Sequence, residues 1–170
     1  MPKVLVTGTP GSGKSTITRA IAERGFRAYD LDDFPDLIRL EVKGTGEPAK
    51  WPEGEVDWNY YAWNIQRKPF LRMLDGQEDL YIGVSATNLA EFYLYFDKIF
   101  ALVVDDGLLS RRLRERDAHE FGQTEADIRR FIAINHDRTS QYIAAGAIPV
   151  NNVQSVEKVA DFIIAKTQKL

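Results

Sequence analysis

The chain has 170 residues, with 22 lysines and arginines against 25 aspartates and glutamates, which gives a formal net charge of −3. The length suits a single domain over residues 1–170, and the 44% hydrophobic and 28% charged fractions are those of a globular protein rather than a disordered or low-complexity one. The slightly acidic charge argues against nucleic acid as a partner, the absence of cysteine excludes thiolate metal sites, and no apolar run approaches the ~20 residues that span a membrane.

In chain order, apolar runs that predict strands alternate with segments of helical periodicity. The amino terminus has no signal-peptide pattern and leads directly into the first predicted strand, so we expect a cytoplasmic protein. Strands are predicted at residues 3–7, 26–30, 80–85, 99–104 and 147–150. Helices are predicted at residues 15–24, 34–42, 57–74, 89–96, 108–116 and 124–145, and from residue 155 onwards. Strands that are apolar along their length are typical of a parallel sheet covered by helices on both faces, and so of the α/β class.

A glycine-rich segment joins the first predicted strand to the first predicted helix. Residues 8–15 read Gly-Thr-Pro-Gly-Ser-Gly-Lys-Ser and match the phosphate-binding motif G-x-x-x-x-G-K-[ST] at every fixed position. Glycines allow the backbone N–H groups to converge on phosphate oxygens, and the helix that follows adds its positive dipole end. We expect Lys14 to reach the β- and γ-phosphates and the Ser15 hydroxyl to bind Mg²⁺. The predicted nucleotide-binding residues of this loop are Gly11, Ser12, Gly13, Lys14, Ser15 and Thr16.

This loop, the acidic segment at residues 30–33 and the arginine-rich segment at residues 112–116 resemble those of small P-loop kinases of the nucleoside monophosphate kinase and shikimate kinase group. The chain more closely resembles bacterial AAA-family ATPases and nucleoside kinases, over nearly its whole length. The resemblance implies a P-loop NTPase three-layer sandwich whose five parallel strands have the order 2-3-1-4-5. It also implies ATP and Mg²⁺ as cofactors, a substrate-binding flap at about residues 32–75 and a short lid at about residues 112–130.

Three carboxylates follow the second predicted strand, at the edge of a parallel sheet where ligands bind. By the resemblance to shikimate and gluconate kinases, Asp30 holds Mg²⁺ through water, and Asp32 orients or deprotonates the acceptor hydroxyl. The resemblance to polynucleotide 5′-kinases favours Asp33 instead. The alternative is that Asp32 or Asp33 only caps the helix predicted at residues 34–42.

The third predicted strand ends without the carboxylate that many relatives carry there, which leaves the metal to Ser15 and Asp30. Ser85, Thr87 and Asn88 follow that strand. They are candidates for contacts with phosphate or substrate, and equally for capping the next predicted helix.

Arginine is concentrated around the predicted lid, because seven of the 13 arginines lie between residues 111 and 138. Arg112 and Arg116 are four residues apart and share a helix face. By the resemblance to adenylate kinases, Arg112 stacks on the adenine and Arg116 contacts the transferred phosphate. Arg129 and Arg130 are candidates for a further phosphate contact. The alternative is a solvated helix face with ion pairs between successive turns.

All three tryptophans lie between residues 51 and 63, inside the predicted flap. For Tyr61 and Trp63 we favour packing of the core. For Trp51 and Trp58, packing and stacking on a ring of the phosphate acceptor are equally open. The glycines and prolines just before them indicate a mobile segment of the kind that closes over a substrate.

The sequence favours an ATP- and Mg²⁺-dependent kinase that acts on a small molecule such as a nucleotide or nucleoside, as a monomer or homodimer. Two alternatives stay open: an ATPase or nucleotide-switched binding protein without a phosphate acceptor, and a polynucleotide 5′-hydroxyl kinase. The second is disfavoured because the sequence has no obvious basic groove.

Overall fold

The backbone alternates between strands and helices as the sequence predicts, and adds a hairpin that it does not. The computed structural model describes residues 1–76, 78–115 and 124–168. Its strands are β1 (Lys3–Thr7), β2 (Arg27–Asp30), β3 (Ile38–Val42), β4 (Tyr61–Ile65), β5 (Leu80–Gly83), β6 (Lys98–Val103) and β7 (Ile148–Asn151). Its α-helices are α1 (Lys14–Ala22), α2 (Arg67–Leu74), α3 (Asp106–Arg114), α4 (Glu125–Ala144) and α5 (Val156–Thr167).

The five predicted strands form one parallel sheet in the order β2-β5-β1-β6-β7. Counted in chain order without the hairpin, this is 2-3-1-4-5, so the predicted order is confirmed. The central strand β1 is apolar at its three middle residues, Val4, Leu5 and Val6, which are fully buried. Because the strands are parallel, their carboxyl ends meet at one edge, where the loops that follow β1, β2 and β5 lie close together.

Helices cover both faces of this sheet, which makes the predicted three-layer sandwich. Successive residues of a strand point to opposite faces. Val4 and Val6 accordingly pack with α1 and α5, whereas Leu5 packs with α2 and α4. A further apolar cluster, which includes Leu113 and Phe131, joins α3 to α4. Among the described residues, no helix has both the length and the apolar character needed to cross a bilayer.

The helix predicted at residues 34–42 is wrong, because this segment contains strand β3. Ile38 and Leu40 are buried and alternate with the half-buried Arg39, which is the period of two of a strand and not the 3.6 of a helix. A short 3-10 turn, Leu31–Asp33, precedes the strand, and its cap is the carboxylate of Asp30, which accepts a hydrogen bond from the backbone N–H of Asp32 at 3.1 Å. The proposed capping of a helix by Asp32 or Asp33 therefore does not occur.

The helix predicted at residues 57–74 is only half correct. Asp57 begins a turn, in which its backbone carbonyl accepts hydrogen bonds from the N–H groups of Tyr60 and Tyr61, and strand β4 begins at Tyr61. Only α2 is helical, and Pro69 is its third residue. Backbone N–H groups in the first turn of a helix have no intrahelical partner, so a proline there removes no hydrogen bond. A helix that began at Asp57 would instead place Pro69 in its interior, where proline interrupts the hydrogen bonding.

Candidate functional site

The glycine-rich loop between β1 and α1 is a tight turn whose backbone conformation requires glycine. Gly11 and Gly13 have φ values of +89° and +100°, a region that favours glycine. A Cβ atom on Gly13 would lie 2.6 Å from Nδ2 of Asn152, so a side chain has no room there. Gly13 is the N-cap of α1, and the helix has neither a side-chain cap nor an acidic residue in its first turn. Its N-terminal N–H groups are thus placed to bind an anion.

Lys14 turns into the loop. The residue is 7% exposed, and its Nζ donates to the carbonyl oxygens of Gly8 at 3.1 Å and of Thr9 at 3.4 Å. The next two residues, Ser15 and Thr16, are exposed on the first turn of α1. The loop therefore brings one buried positive charge and two accessible hydroxyls to the same end of α1.

The acidic segment at the end of β2 lies next to this positive charge. Asp30 is 7% exposed, while Asp32 and Asp33 are exposed to solvent. The Asp32 carboxylate accepts a hydrogen bond from Nε1 of Trp63 on β4 at 3.1 Å. Although Asp32 keeps contact with solvent, its carboxyl group is crowded by protein atoms. This burial and the charge of Asp30 raise the pKa of Asp32, and they outweigh the lowering by the charge of Lys14 and by the Trp63 hydrogen bond.

The hairpin β3–β4 is fastened to the segment that follows β5. The backbone N–H of Trp63 donates to the Thr87 hydroxyl at 3.1 Å, and the backbone N–H of Thr87 donates to the Trp63 carbonyl at 2.7 Å. The Asn88 side chain bonds both the N–H and the C=O of Ile65, at 2.9 and 3.1 Å. Thr87 and Asn88 therefore hold the hairpin, and Asn88 does not cap the helical turn that follows it.

Ser85, two residues after β5, accepts a hydrogen bond from Nη1 of Arg138 on α4 at 3.3 Å. Since β5 and β2 are paired, with Gly83 opposite Asp30, this arginine lies at the same sheet edge as the acidic segment. Arg130, two turns earlier on α4, places its guanidinium 5.6 Å from the ring centre of Trp58. Burial and the charge of Arg138 lower the pKa of Arg130.

Arg112 of α3 lies against the phosphate-binding loop. Its guanidinium donates to the carbonyl oxygens of Ser12 at 3.1 Å and of Asn152 at 2.9 Å. Burial and the charge of Arg111 lower the pKa of Arg112. Beside this arginine is an open groove of about 430 Å³. Its lining residues are Asp105, Gly107, Leu108, Arg111, Arg112 and Val153.

The remaining predicted lid residues are not brought together in the described structure. Arg116 lies outside the described residues, so its predicted contact with the transferred phosphate stays a prediction. Arg129 is exposed on α4. Arg114 forms a surface ion pair with Glu125 at 3.1 Å, which joins α3 to α4 and is not the pairing between successive turns of one helix that the sequence left open.

Comparison with known proteins agrees with this geometry. Residues 4–132 match the family model described as an AAA domain. The chain belongs to this AAA domain family. A protein of Thermococcus kodakarensis named "Putative adenylate kinase" is 34% identical over 114 residues, which make up 66% of this chain and 55% of that protein. The chain thus spans about half the length of this curated relative.

Solved structures establish the fold of this AAA domain protein as that of P-loop small-molecule kinases. Shikimate kinase from Acinetobacter baumannii superposes with a TM-score of 0.65 at 18% identity, over 99% of this chain and 94% of the other. Deoxyadenosine kinase from M. mycoides, solved with dATP, superposes with a TM-score of 0.58 at 14% identity, over 98% and 99% of the two chains.

Two asparagines at the site of this AAA domain protein escaped the sequence analysis. Asn152 follows β7, and its side chain contacts the Ser12 carbonyl of the phosphate-binding loop. Asn135 of α4 is 5% exposed and accepts a hydrogen bond from the Thr9 hydroxyl at 2.9 Å. A signal for Asn135 exists, because it is a polar residue in line with the apolar Ile128 and Phe131 on one face of the predicted helix.

Proposed function

We propose that this protein is an ATP- and Mg²⁺-dependent kinase that phosphorylates a hydroxyl group of a small molecule. The position of Asp32 carries the proposal. Its carboxylate lies within the electrostatic influence of Lys14 in the phosphate-binding loop and accepts a hydrogen bond from the Trp63 indole of the hairpin. An enzyme that only hydrolyses ATP would not require a carboxylate that also contacts the predicted acceptor flap.

The residues divide into a nucleotide side and an acceptor side. On the nucleotide side, the N–H groups at the start of α1 and the Lys14 ammonium would hold the phosphates, and the groove beside Arg112 would hold the base. On the acceptor side, Asp32 would accept the proton of the acceptor hydroxyl as its oxygen attacks the γ-phosphorus and the bond to the ADP oxygen breaks. A pKa raised above that of an ordinary aspartate makes this carboxylate a stronger base.

The residues present fit Mg²⁺. Ser15 offers an exposed hydroxyl, and Asp30 offers a carboxylate of which one oxygen bonds the Asp32 N–H. Among the described residues no three acidic or histidine side chains gather around one point. A sparse set of oxygen ligands suits Mg²⁺, which keeps several waters and takes other ligands from phosphates. When bound, the ion would neutralise charge on the β- and γ-phosphates.

The direct test is a screen for acceptors that stimulate ADP release. The acceptors are nucleosides, nucleoside monophosphates, hydroxy acids related to shikimate and gluconate, and oligonucleotides with a 5′-hydroxyl. We expect at least one small molecule to raise turnover, and Lys14→Ala to abolish that turnover while the unliganded protein keeps its fold. Stimulation by oligonucleotides alone would instead identify a polynucleotide kinase.

A protein that hydrolyses ATP without an acceptor is the second candidate. It is favoured by one observation, which is that β5 ends at Gly83 and is followed by Val84 and Ser85, without the metal-binding carboxylate expected of many P-loop kinases. ADP release that no acceptor stimulates, together with Asp32→Asn turnover equal to that of the unsubstituted protein, would favour this candidate over the kinase.

A further inference from the structure

The predicted flap contacts the acidic segment through one side-chain hydrogen bond. Nε1 of Trp63 donates to Oδ1 of Asp32 at 3.1 Å, and the two residues are 31 positions apart in the chain. A hydrogen bond from an indole N–H fixes one oxygen of a carboxylate and leaves the other oxygen to act on a substrate. Asp32 lies in the turn after β2, and this indole is the side-chain donor that its carboxylate contacts there.

The backbone of Trp63 is itself held rigidly. Thr87 bonds both its N–H and its C=O, and Asn88 does the same for Ile65 two residues later. Thr87 and Asn88 follow β5, which pairs directly with β2. The indole is therefore anchored to the same sheet edge that carries Asp32, and not only to the hairpin.

The ring of Trp63 has a second partner in the flap. The indole of Trp51 lies 5.1 Å from it between ring centres, with the planes tilted by 38°. Trp51 is 41% exposed and belongs to the stretch rich in glycine and proline that precedes β4. A ligand that contacts Trp51 would thus also act on Trp63, whose indole donates to Asp32.

We propose that Trp63 is a positioning residue for phosphoryl transfer, which holds the Asp32 carboxylate in the orientation that accepts the acceptor proton. The proposal rests on the proposed function of Asp32. It assigns to the hairpin a role beyond covering the acceptor. The indole N–H is a fixed hydrogen-bond donor that orients the Asp32 carboxylate. Phenylalanine at position 63 would keep the contact with Trp51 and lose only the hydrogen bond.

The first test needs no substrate and detects the contact itself. The three tryptophans give three indole N–H signals in a ¹H–¹⁵N spectrum of the full chain, and Trp63→Phe identifies one of them. We expect Asp32→Ala to shift that signal upfield and to speed its exchange with solvent deuterium. Asp33→Ala, which removes the neighbouring carboxylate, is the matched control and should leave the signal in place. A Trp63 signal that Asp32→Ala does not move overturns the proposal.

The second test separates positioning from mere structural support. ADP release is measured with an acceptor from the screen, or with water as the acceptor where none is found. A hydrogen bond to a charged group predicts about a tenfold loss of kcat in Trp63→Phe, with the KM for ATP unchanged. In an Asp32→Ala background the same substitution should cause no further loss.

The outcomes are distinguishable. Equal losses in both backgrounds would make Trp63 a structural residue and overturn the positioning role. A turnover that Asp32→Ala does not lower would remove the proposed catalytic role of Asp32, while the spectrum would still report the indole contact. In that case the failure lies with the proposed function.

Discussion

At the scale of single residues, the three carboxylates of the acidic segment have different surroundings. Asp30 is buried, and one of its carboxylate oxygens accepts a hydrogen bond from the backbone N–H of Asp32. Asp32 faces Lys14 and Trp63, whereas Asp33 is exposed and influences Asp32 only through its charge. These surroundings favour Asp32 over Asp33 as the group that meets the acceptor.

Asp32→Asn should therefore lower acceptor-dependent turnover by about 100-fold or more, the scale of a lost general base. ATP affinity should change little, because this carboxylate faces the acceptor. Initial rates of ADP release and titration with ATP measure the two effects. Asp33→Asn is the matched control and should keep its turnover. A large loss at Asp33 with none at Asp32 would place the catalytic carboxylate one residue later.

Arg112 binds the phosphate-binding loop through two backbone carbonyls, so its loss should act on nucleotide binding more than on the chemical step. Arg112→Ala should raise the KM for ATP by about tenfold, on the scale of hydrogen bonds to a charged group. Arg114→Ala removes an arginine of the same helix whose partners, Glu125 and Ser110, lie at the surface, and the KM of this variant for ATP should stay unchanged. Equal effects of the two substitutions would contradict the assigned role of Arg112.

At the scale of elements, the sequence predicts the sheet well and the hairpin poorly. Most strands of the sheet are largely apolar and alternate with helices, a pattern that the local sequence shows. The hairpin strands β3 and β4 are separated by residues 43–60. The two strands pair with each other across that separation, and Thr87 and Asn88 hold β4 from a third segment. Short segments do not encode such distant contacts.

Glu41 is a polar centre of the hairpin. Its carboxylate accepts hydrogen bonds from Arg39 at 3.0 Å, Asn64 at 3.0 Å and Gln66 at 2.8 Å. Burial by itself would raise the pKa of Glu41, but these bonds outweigh burial and lower it below its ordinary value of 4.5. A lowered pKa in the folded state means that Glu41 stabilises the fold above about pH 4.5, and that this contribution is lost as the pH falls through the folded-state pKa.

Glu41→Gln should therefore reduce the free energy of unfolding near neutral pH, and the difference from the unsubstituted protein should shrink at about pH 3. Denaturant titrations at the two pH values measure it. Glu53→Gln changes an exposed carboxylate in the connection between β3 and β4. Its free energy of unfolding should stay within about 0.5 kcal/mol of that of the unsubstituted protein at both pH values. A pH-independent difference for Glu41→Gln would contradict the assigned charge effect.

At the scale of the whole molecule, the site is assembled from segments far apart in the chain. Asn135 shows this most directly. Its Oδ1 accepts from the Thr9 hydroxyl, and its Nδ2 donates to the Val104 carbonyl at 2.9 Å and to the Asp106 carboxylate at 3.0 Å. One buried amide thus joins the phosphate-binding loop, the end of β6, the start of α3 and the helix α4. The phosphate motif was predictable because it is contiguous, whereas this junction was not, because its partners lie up to 126 residues apart.

Asn135→Ala should lower the free energy of unfolding by about 1–3 kcal/mol, since it leaves buried groups of Thr9 and Val104 without this hydrogen-bond partner. Because Thr9 belongs to the phosphate-binding loop, the variant should also bind ATP more weakly, and ATP with Mg²⁺ should raise its thermal midpoint less than that of the unsubstituted protein. His136→Ala changes an exposed residue next to it on α4 and should alter neither quantity. Thermal unfolding with and without nucleotide measures both. A variant that loses stability but keeps the full rise in midpoint with ATP would mean that Asn135 holds α4 in place without ordering the phosphate-binding loop.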